Sequence, residues 1–383
     1  MGKLLNSADD LDRFDLHGPK DLMDLDEIDW AKEEHRRRIA ACLVKGVYVH
    51  ENDRAERRAV KLAPAWWESF GFHLKKELRE PIYSAIVGVV FDTIYGAIFE
   101  YSPSAPGDRC APRYVVAFRG TKPGSIRDYY LDLKIVINKL KKRTRCVQAC
   151  ATIEGLMMEE GQDSCIWLAG HSLGAAVALV VGRYMMVQEK PPNLPTFLFN
   201  PPHVSFITSI NLLKLDPVAK ESVHRVGNIL REGAAKVLRS HRERMDNLFQ
   251  RLSPWVPNLY VHEKDPICQG FIDYFEQRQK FMEGSHRVGT TFAAFSLRDG
   301  FWHLIDKDKD RPQLLPSAKL WKSCLDHDPH GLSSGGNRTA SSAAWRPSII
   351  ATLCLKHKLL LPLCRLSCCS WSKSVYLLFF SNK

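Results

Sequence analysis

Residues 165–174 read C-I-W-L-A-G-H-S-L-G, and residues 175–187 continue as an apolar run with helix-like spacing. The pattern predicts a strand, a sharp turn and a helix, in which Gly170 and Gly174 allow the tight bend and the close approach of strand and helix. Ser172 then lies at the N-terminus of the helix, where unpaired N–H groups can stabilise a developing negative charge. The stretch therefore predicts a nucleophilic Ser172; the alternative is an ordinary glycine-rich turn.

Composition sets the broad class of the chain. Its 383 residues are 45% hydrophobic and 25% charged, which is enough for one large α/β domain with additions or for two smaller domains. The net charge is +11, although residues 1–29 are acidic and are predicted to form a loosely ordered extension. Neither an aromatic-interleaved basic motif nor a zinc-ligand spacing occurs, so no nucleic-acid partner is predicted. The basic excess leaves peripheral association with anionic membranes or lipid droplets open.

The N-terminus and the cysteines indicate the compartment. The N-terminus lacks the basic and apolar regions of a secretory signal. The 11 cysteines show no paired framework, and without a signal they are expected to stay reduced. The sequence therefore predicts a cytoplasmic location. No metal or organic cofactor is expected.

Two segments rich in β-branched and aromatic residues predict strands at residues 86–99 and 113–118. The second strand runs into Phe-Arg-Gly-Thr at 118–121. A serine hydrolase of this architecture needs two backbone N–H groups for the oxyanion, one from the residue after the nucleophile and one from a loop after an early strand. Leu173 and Thr121 occupy these two places. The alternative for Thr121 is a tight turn capped by its hydroxyl.

Three helical segments accompany these elements. Residues 30–52 have helical spacing and are predicted to pack on the outside of the domain. Residues 124–133 are amphipathic and predict either a lid over an apolar cleft or a fixed surface helix. Residues 205–253 contain an arginine-rich amphipathic helix, which predicts a helical cap, with membrane contact as the weaker alternative.

Asp265 follows an apolar, strand-like segment at residues 258–261. The carboxyl ends of parallel strands meet at one edge of an α/β sheet, where catalytic groups are presented. A carboxylate at this edge can accept the N–H of a histidine imidazole and fix its tautomer. Asp216 also precedes a proline, but it falls within the helical insert and is predicted to form a turn.

Five motifs lie in order along the chain: F-R-G-T at 118–121, S-I-R-D-Y-Y-L-D-L at 125–133, G-H-S-L-G at 170–174, F-L-F-N-P-P at 197–202 and D-P-I-C at 265–268. Together they resemble the class 3 lipases, the fungal-lipase-like α/β-hydrolases, and among these a plant subgroup loosely labelled GDSL esterase/lipase. The chain has no Gly-Asp-Ser-Leu block, so that label does not describe it. The resemblance implies that Ser172 is the nucleophile and Asp265 the triad acid, that Thr121 and Leu173 bind the oxyanion, and that Gly124–Leu133 is the lid.

The resemblance also assigns the triad histidine. The chain order Ser-Asp-His requires a histidine after Asp265. The subgroup has an L-L-P-S-A block, then His-Gly and an aliphatic residue, then Gln-Trp-Trp. Here residues 314–318 read L-L-P-S-A and precede His330-Gly-Leu, which makes His330 the match. His327 is the runner-up, and His303 is predicted to be a packed core residue.

The resemblance ends at Leu332. Nucleotides that encode Ser333–Thr339 can also be read, in another frame, as Gln-Trp-Trp-Lys-Pro-Asp, which is the continuation of the subgroup. We therefore predict that residues 333–383 are a non-native, frameshifted tail.

These inferences predict one α/β-hydrolase domain over residues 30–332, with a mostly parallel central sheet flanked by helices. It is expected to hydrolyse carboxylic esters of acyl lipids, like a triacylglycerol lipase, through Ser172, Asp265 and His330 and an acyl-enzyme. The alternative is a catalytically weak or silent α/β-hydrolase that binds lipids or partners. Protease or amidase action uses the same triad and stays open.

Overall fold

The computed structural model describes residues 7–22, 28–84, 89–102, 110–121, 144–161, 165–192, 194–203, 247–283, 315–323 and 346–351. The helices are α1 (Ser7–Asp12), α2 (Phe14–His17), α3 (Glu33–Ala55), α4 (Ala65–Glu68), α5 (Thr144–Glu160), α6 (Leu173–Met186) and α7 (Gly270–Glu283). The strands are β1 (Phe72–Ser84), β2 (Val89–Tyr101), β3 (Tyr114–Phe118), β4 (Ile166–His171), β5 (Thr196–Phe199), β6 (Asn258–His262), β7 (Ala318–Ser323) and β8 (Arg346–Ala351).

These strands form one eight-stranded sheet in which the spatial order equals the order along the chain. Strands β1 to β3 pair antiparallel, β3 to β7 pair parallel, and β8 pairs antiparallel with β7. Each parallel pair needs a crossover, and α5, α6 and α7 lie in three of these connections. This mostly parallel sheet flanked by helices confirms the predicted α/β fold class.

The central strands are buried on both faces, which explains their nearly continuous apolar sequence. In β3 the side chains of Tyr114, Val116 and Phe118 join the core on the side of α5 and α6. Those of Val115 and Ala117 join the core on the side of α3 and α4. Strand β4 alternates in the same way, because successive side chains of a strand point to opposite faces.

Helix α3 is more enclosed than an outside helix would be. It packs against β2 to β5, and α4 packs against it in turn. Apolar residues such as Leu43 and Val47 are fully buried, and the charged residues Arg37, Glu51 and Asp53 are also buried. No helix in the described part of the chain, α3 included, is long and apolar enough to cross a membrane.

The N-terminal segment differs from the loosely ordered extension that its acidic composition predicts. Residues 7–22 form α1, α2 and a 3-10 turn, and Phe14 and Leu22 are buried in the α3-side core. The Phe14 ring makes edge-to-face contacts with Trp66 and Phe70. Two buried apolar side chains thus help to fix a segment that is otherwise rich in aspartate.

Asp12 holds this segment through a buried set of polar contacts. Its carboxylate accepts hydrogen bonds from Lys45 Nζ at 2.9 Å, Asn52 Nδ2 at 2.7 Å and Arg58 Nη1 at 3.0 Å, and its backbone carbonyl accepts Trp66 Nε1–H at 2.8 Å. Burial alone would raise the pKa of the Asp12 carboxyl, but the Lys45 charge and these hydrogen bonds lower it below its ordinary value. The carboxylate is therefore ionised and paired inside the fold.

At the opposite end of the sheet, β8 pairs with β7 at the edge. Residues 346–351 fall within the stretch that is predicted to be frameshifted. An exposed edge strand offers its backbone N–H and C=O groups to any extended segment, whatever its side chains. The pairing therefore does not distinguish a native tail from a frameshifted one, and both the frameshift and the domain limits stay predictions.

We expect Asp12→Asn to lower the free energy of unfolding by about 3 kcal/mol, because it leaves two cations facing a neutral group inside the fold. Urea unfolding of the full chain measures the change. The matched control is Asp15→Asn in the same segment, where the carboxylate is 61% exposed and pairs with Arg13 at the surface. Equal stability of the two variants would contradict the anchoring role of Asp12.

Candidate active site

Ser172 occupies the turn between β4 and α6. Its backbone has φ 54° and ψ −123°, a combination that residues other than glycine rarely adopt. Its N–H donates to the carbonyl of Phe199 at 2.9 Å, and its own carbonyl accepts the N–H of Ala176 at 3.1 Å. Contacts on both sides therefore hold the turn in a strained conformation. This is the strand–turn–helix geometry that the G-x-S-x-G pattern predicts.

The two glycines of the motif are required by close backbone contacts. A Cβ atom on Gly170 would lie closer than 3.0 Å to the backbone of Gly174. A Cβ atom on Gly174 would lie equally close to the carbonyl group of Phe118, at the end of β3. Neither backbone can move away as a flexible side chain could, so any larger residue would separate β3, β4 and α6.

The loop after β3 lies directly against the Ser172 turn. A Cβ atom on Gly120 would be 3.0 Å from Ser172 Cβ and 3.1 Å from the carbonyl oxygen of His171. The next residue is Thr121, whose hydroxyl oxygen is buried and has no hydrogen-bond partner among the described residues. Leu173 is the first residue of α6. Leu173 thus directly follows Ser172, and Thr121 directly follows the glycine that meets the Ser172 turn.

Arg119 fixes this loop, a role that the sequence analysis did not assign. The residue is buried, and its Nε donates to the carbonyl of Ile94 at 2.6 Å. Its two terminal nitrogens donate to the Gly120 carbonyl at 2.7 Å and to Thr93 Oγ1 at 2.8 Å. Burial lowers the pKa of the guanidinium, while the nearby Glu51 charge opposes that shift. An arginine directly after a buried strand was the available sequence signal.

Glu51, on α3, supplies the countercharge to Arg119. Burial alone would raise its pKa, but hydrogen bonds from Arg54, from the Ile94 N–H and from the Thr93 hydroxyl lower it to about 2. A lowered pKa contributes stability that is fully present above the ordinary value of 4.5 and is lost as the pH falls toward 2. At neutral pH the carboxylate therefore stays charged beneath the loop.

Asp265 lies shortly after β6, at the carboxyl edge of the sheet, and is 1% exposed. Its Oδ1 accepts the N–H of Ile267 at 2.9 Å, and its Oδ2 accepts the thiol of Cys268 at 3.1 Å. Burial and the adjacent carboxylate raise the pKa of Cys268 well above its ordinary value, so the thiol keeps its proton. Strand β5 separates β4 from β6, so two strand spacings, about 10 Å, lie between the strands that carry Ser172 and Asp265.

The remaining predictions fall on parts of the chain outside the described residues. These are His330, the runner-up His327, the predicted core residue His303, the segment 124–133, and residues 205–246 of the insert 205–253. The described end of that insert, residues 247–252, is helical.

Tyr48, on α3, is a second residue that the sequence analysis missed. Its hydroxyl oxygen accepts the N–H of Gly120 at 2.6 Å and lies 2.9 Å from Nδ1 of His171. No motif marks it, because helical periodicity cannot show which polar side chain of a buried helix meets a loop from another part of the chain.

Within the described residues, no group of His, Cys, Asp and Glu has a metal-binding arrangement.

We expect Gly174→Ala to lower the free energy of unfolding by about 2 kcal/mol, because the added methyl group collides with the Phe118 backbone. The matched control is Gly155→Ala in α5, where an added Cβ meets nothing within 4 Å. That variant should gain about 0.5–1 kcal/mol from the better helix propensity of alanine. Denaturant midpoints measure both changes, and a Gly174→Ala protein as stable as the parent would contradict the close approach.

Comparisons with known proteins give the family. A family model described as Lipase (class 3) matches residues 115–208, which contain β3 from its second residue, β4, the Ser172 turn and α6. A protein of Arabidopsis thaliana named GDSL esterase/lipase is 35% identical over 287 residues, which cover 71% of this chain and 79% of that protein.

A solved structure, the lipase from Rhizopus microsporus var. chinensis, is 17% identical, with a TM-score of 0.30. The match covers 48% of this chain and 62% of the solved chain, so it spans less than two thirds of that lipase. The identity to the Arabidopsis protein over most of its length and the family match around Ser172 agree with each other. The chain belongs to the class 3 lipase family of esterases and lipases.

Proposed function

We propose that this protein is a serine hydrolase that cleaves carboxylic esters of acyl lipids, with Ser172 as nucleophile, Asp265 as triad acid and His330 as base. The observation that carries the proposal is the Ser172 turn, where a strained serine lies against the loop of Thr121. Backbone strain of this kind costs about 1–3 kcal/mol, persists only where the surrounding structure holds it, and clusters at active sites. The family and the name of the Arabidopsis relative agree with ester hydrolysis.

The reaction proceeds in two halves. Ser172 Oγ attacks the ester carbonyl while the imidazole of His330 takes the serine proton. The tetrahedral intermediate collapses, the ester C–O bond breaks, and the imidazolium gives its proton to the leaving alcohol. Water then attacks the acyl-enzyme with the same base, which releases the fatty acid and regenerates Ser172. Asp265 accepts the second N–H of the imidazole and stabilises its charged form.

The oxyanion is stabilised by groups that lie beside Ser172. The N–H of Leu173 belongs to the first turn of α6, where helix N–H groups have no intrahelical acceptor. The N–H and hydroxyl of Thr121 are the other donors. The buried hydroxyl oxygen of Thr121 has no partner in the described part of the chain, which suits a group that makes its hydrogen bond only when charge develops.

The proposal also covers the substrate class and the surface on which the enzyme acts. The acyl-lipid substrate follows from the class 3 family and from the esterase/lipase name of the relative. The +11 net charge favours contact with anionic lipid surfaces, so we extend the proposal to peripheral binding at membranes or lipid droplets.

The competing candidate is a catalytically silent α/β-hydrolase that binds lipids. It is favoured by the predicted break in the family pattern directly after Leu332, two residues beyond the proposed base. A protein with this defect would keep the Ser172 turn and lose only the activation of the serine.

Ser172→Ala should abolish hydrolysis of p-nitrophenyl butyrate and labelling by a fluorophosphonate probe. Loss of a triad nucleophile costs on the order of 10⁶-fold in kcat. Ser102→Ala, at an exposed position just beyond β2, is the control and should leave both readouts unchanged. Mass spectrometry should place the phosphonate on Ser172. A folded Ser172→Ala protein with more than about 5% of the parent rate would refute the nucleophile.

The histidine assignment is tested by restoring the family continuation. Replacing the sequence after residue 333 by Gln-Trp-Trp-Lys-Pro-Asp should raise kcat about a hundredfold, because a 1 Å error in the position of a base costs about that much. In the restored protein, His330→Ala should remove the gain and His327→Ala should not. If the unaltered 383-residue chain already matches the restored one, the tail is native or the base is another histidine.

A further inference from the structure

We propose that Tyr48 is a positioning residue of this hydrolase. Its hydroxyl connects the oxyanion loop, residues 119–121 after β3, to the turn that carries Ser172. The inference rests on the proposed function and adds to it a residue from α3, outside the family motifs. Tyr48 contacts neither the ester nor the nucleophile in this role. It acts through the backbone of one loop and the side chain of the other.

Tyr48 contacts the two residues that directly precede the proposed oxyanion donor Thr121 and the proposed nucleophile Ser172. Gly120 precedes Thr121, and its N–H donates to Tyr48 Oη at 2.6 Å. His171 precedes Ser172, and its Nδ1 lies 2.9 Å from the same oxygen. The Tyr48 and His171 rings meet edge to face, with centroids 5.9 Å apart. One hydroxyl serves both contacts, because a phenol can accept the Gly120 N–H while it donates its hydrogen to a neutral imidazole.

The space around Gly120 is fitted to this hydroxyl. A Cβ atom on Gly120 would lie 2.7 Å from Tyr48 Oη, so the tyrosine oxygen occupies the place where a side chain would begin. The loop is thus held on one side by the Ser172 turn and on the other by α3. If Tyr48 shifts, the loop has to shift with it, and a shift of the loop likewise has to displace Tyr48.

Helix α3 holds the loop at two points, directly through Tyr48 and indirectly through Glu51. Glu51 lies three residues after Tyr48 and therefore on the same side of the helix. It faces Arg119 at 3.9 Å and accepts hydrogen bonds from the Thr93 hydroxyl and the Ile94 N–H. Arg119 in turn donates to the Gly120 carbonyl at 2.7 Å. The peptide groups on both sides of Gly120 are therefore fixed from one helix, one directly and one through Arg119.

These two attachments matter because oxyanion donors act only within a narrow range of distances from the oxyanion. Donors stabilise the transition state when they lie about 2.7–3.1 Å from the developing oxyanion. Removing the Tyr48 hydroxyl leaves the Gly120 N–H without that acceptor and lets the N–H of Thr121 turn away. The cost falls on the transition state, where the oxyanion is fully charged, and hardly on ground-state binding. Loss of the hydroxyl should therefore lower kcat and leave KM nearly unchanged.

The test uses Tyr48→Phe in the full chain, with Tyr114→Phe as the matched control. Tyr114 also loses a hydroxyl hydrogen bond, to Glu160 at 2.8 Å, but it lies at the far end of β3. With p-nitrophenyl butyrate, Tyr48→Phe should lower kcat about 10- to 100-fold with KM within about twofold. Tyr114→Phe should leave kcat within about twofold. A Tyr48→Phe protein that matches Tyr114→Phe in kcat overturns the inference.

His171→Phe is the second variant, and it keeps the test decisive if Tyr48→Phe fails to fold. It keeps a ring but removes the Nδ1 contact, so it should lower kcat with KM unchanged. When both proteins fold, the double variant should lose no more than about threefold beyond Tyr48→Phe alone, because both act through one contact. Unchanged kcat in His171→Phe, or losses that multiply, overturns the inference. If the parent chain shows no turnover that depends on Ser172, the proposed function fails first and the inference fails with it.

Discussion

The structure depends on a turn that the backbone does not favour. Ser172 has a positive φ, and a residue with a side chain stays there only if its surroundings leave no other choice. Those surroundings are β5, which accepts the Ser172 N–H through Phe199, and α6, which starts from the Ser172 carbonyl. Gly170 and Gly174 then allow strand, helix and the end of β3 to meet at backbone distance. The turn therefore fixes the relative positions of β3, β4, β5 and α6.

Helix α3 fixes the loop that the Ser172 turn meets on its other side. The sheet places the loop after β3 beside Ser172, but a loop end alone does not hold a precise position. Tyr48 and Glu51 reach it from α3, and burial of the charged Arg119 is possible only because Glu51 stays ionised beneath it. A helix that carries no reacting group thus sets the geometry in which the proposed oxyanion donors act. Its own position is fixed in part by the N-terminal segment through Asp12.

The sequence was most informative where chemistry and local structure coincide. The apolar runs of β3 and β4 and the Ser172 turn could be predicted because each element carries its own periodicity or its own glycines. Strand β1 could not, because its Phe72–Ser84 sequence is rich in Lys, Arg and Glu, as an edge strand exposed to water requires. The roles of Tyr48 and Asp12 were equally hidden. Each depends on a partner far along the chain, and a pattern of residues contains no such distances.

The described residues also separate two parts of the proposed mechanism. The nucleophile turn, the oxyanion loop, its support from α3 and Asp265 all belong to elements that end before residue 284. The proposed base comes from a later segment, beside the predicted break in the family pattern. An altered tail would therefore leave the core and the oxyanion site intact and would remove only the activation of the serine. Serine hydrolases without a triad member still exceed the rate in water by about 10³–10⁴-fold, through the oxyanion hole and binding alone. A weak esterase and a silent lipid-binding protein would therefore share this fold. They would differ only in whether the proposed base, His330, can take the proton of Ser172.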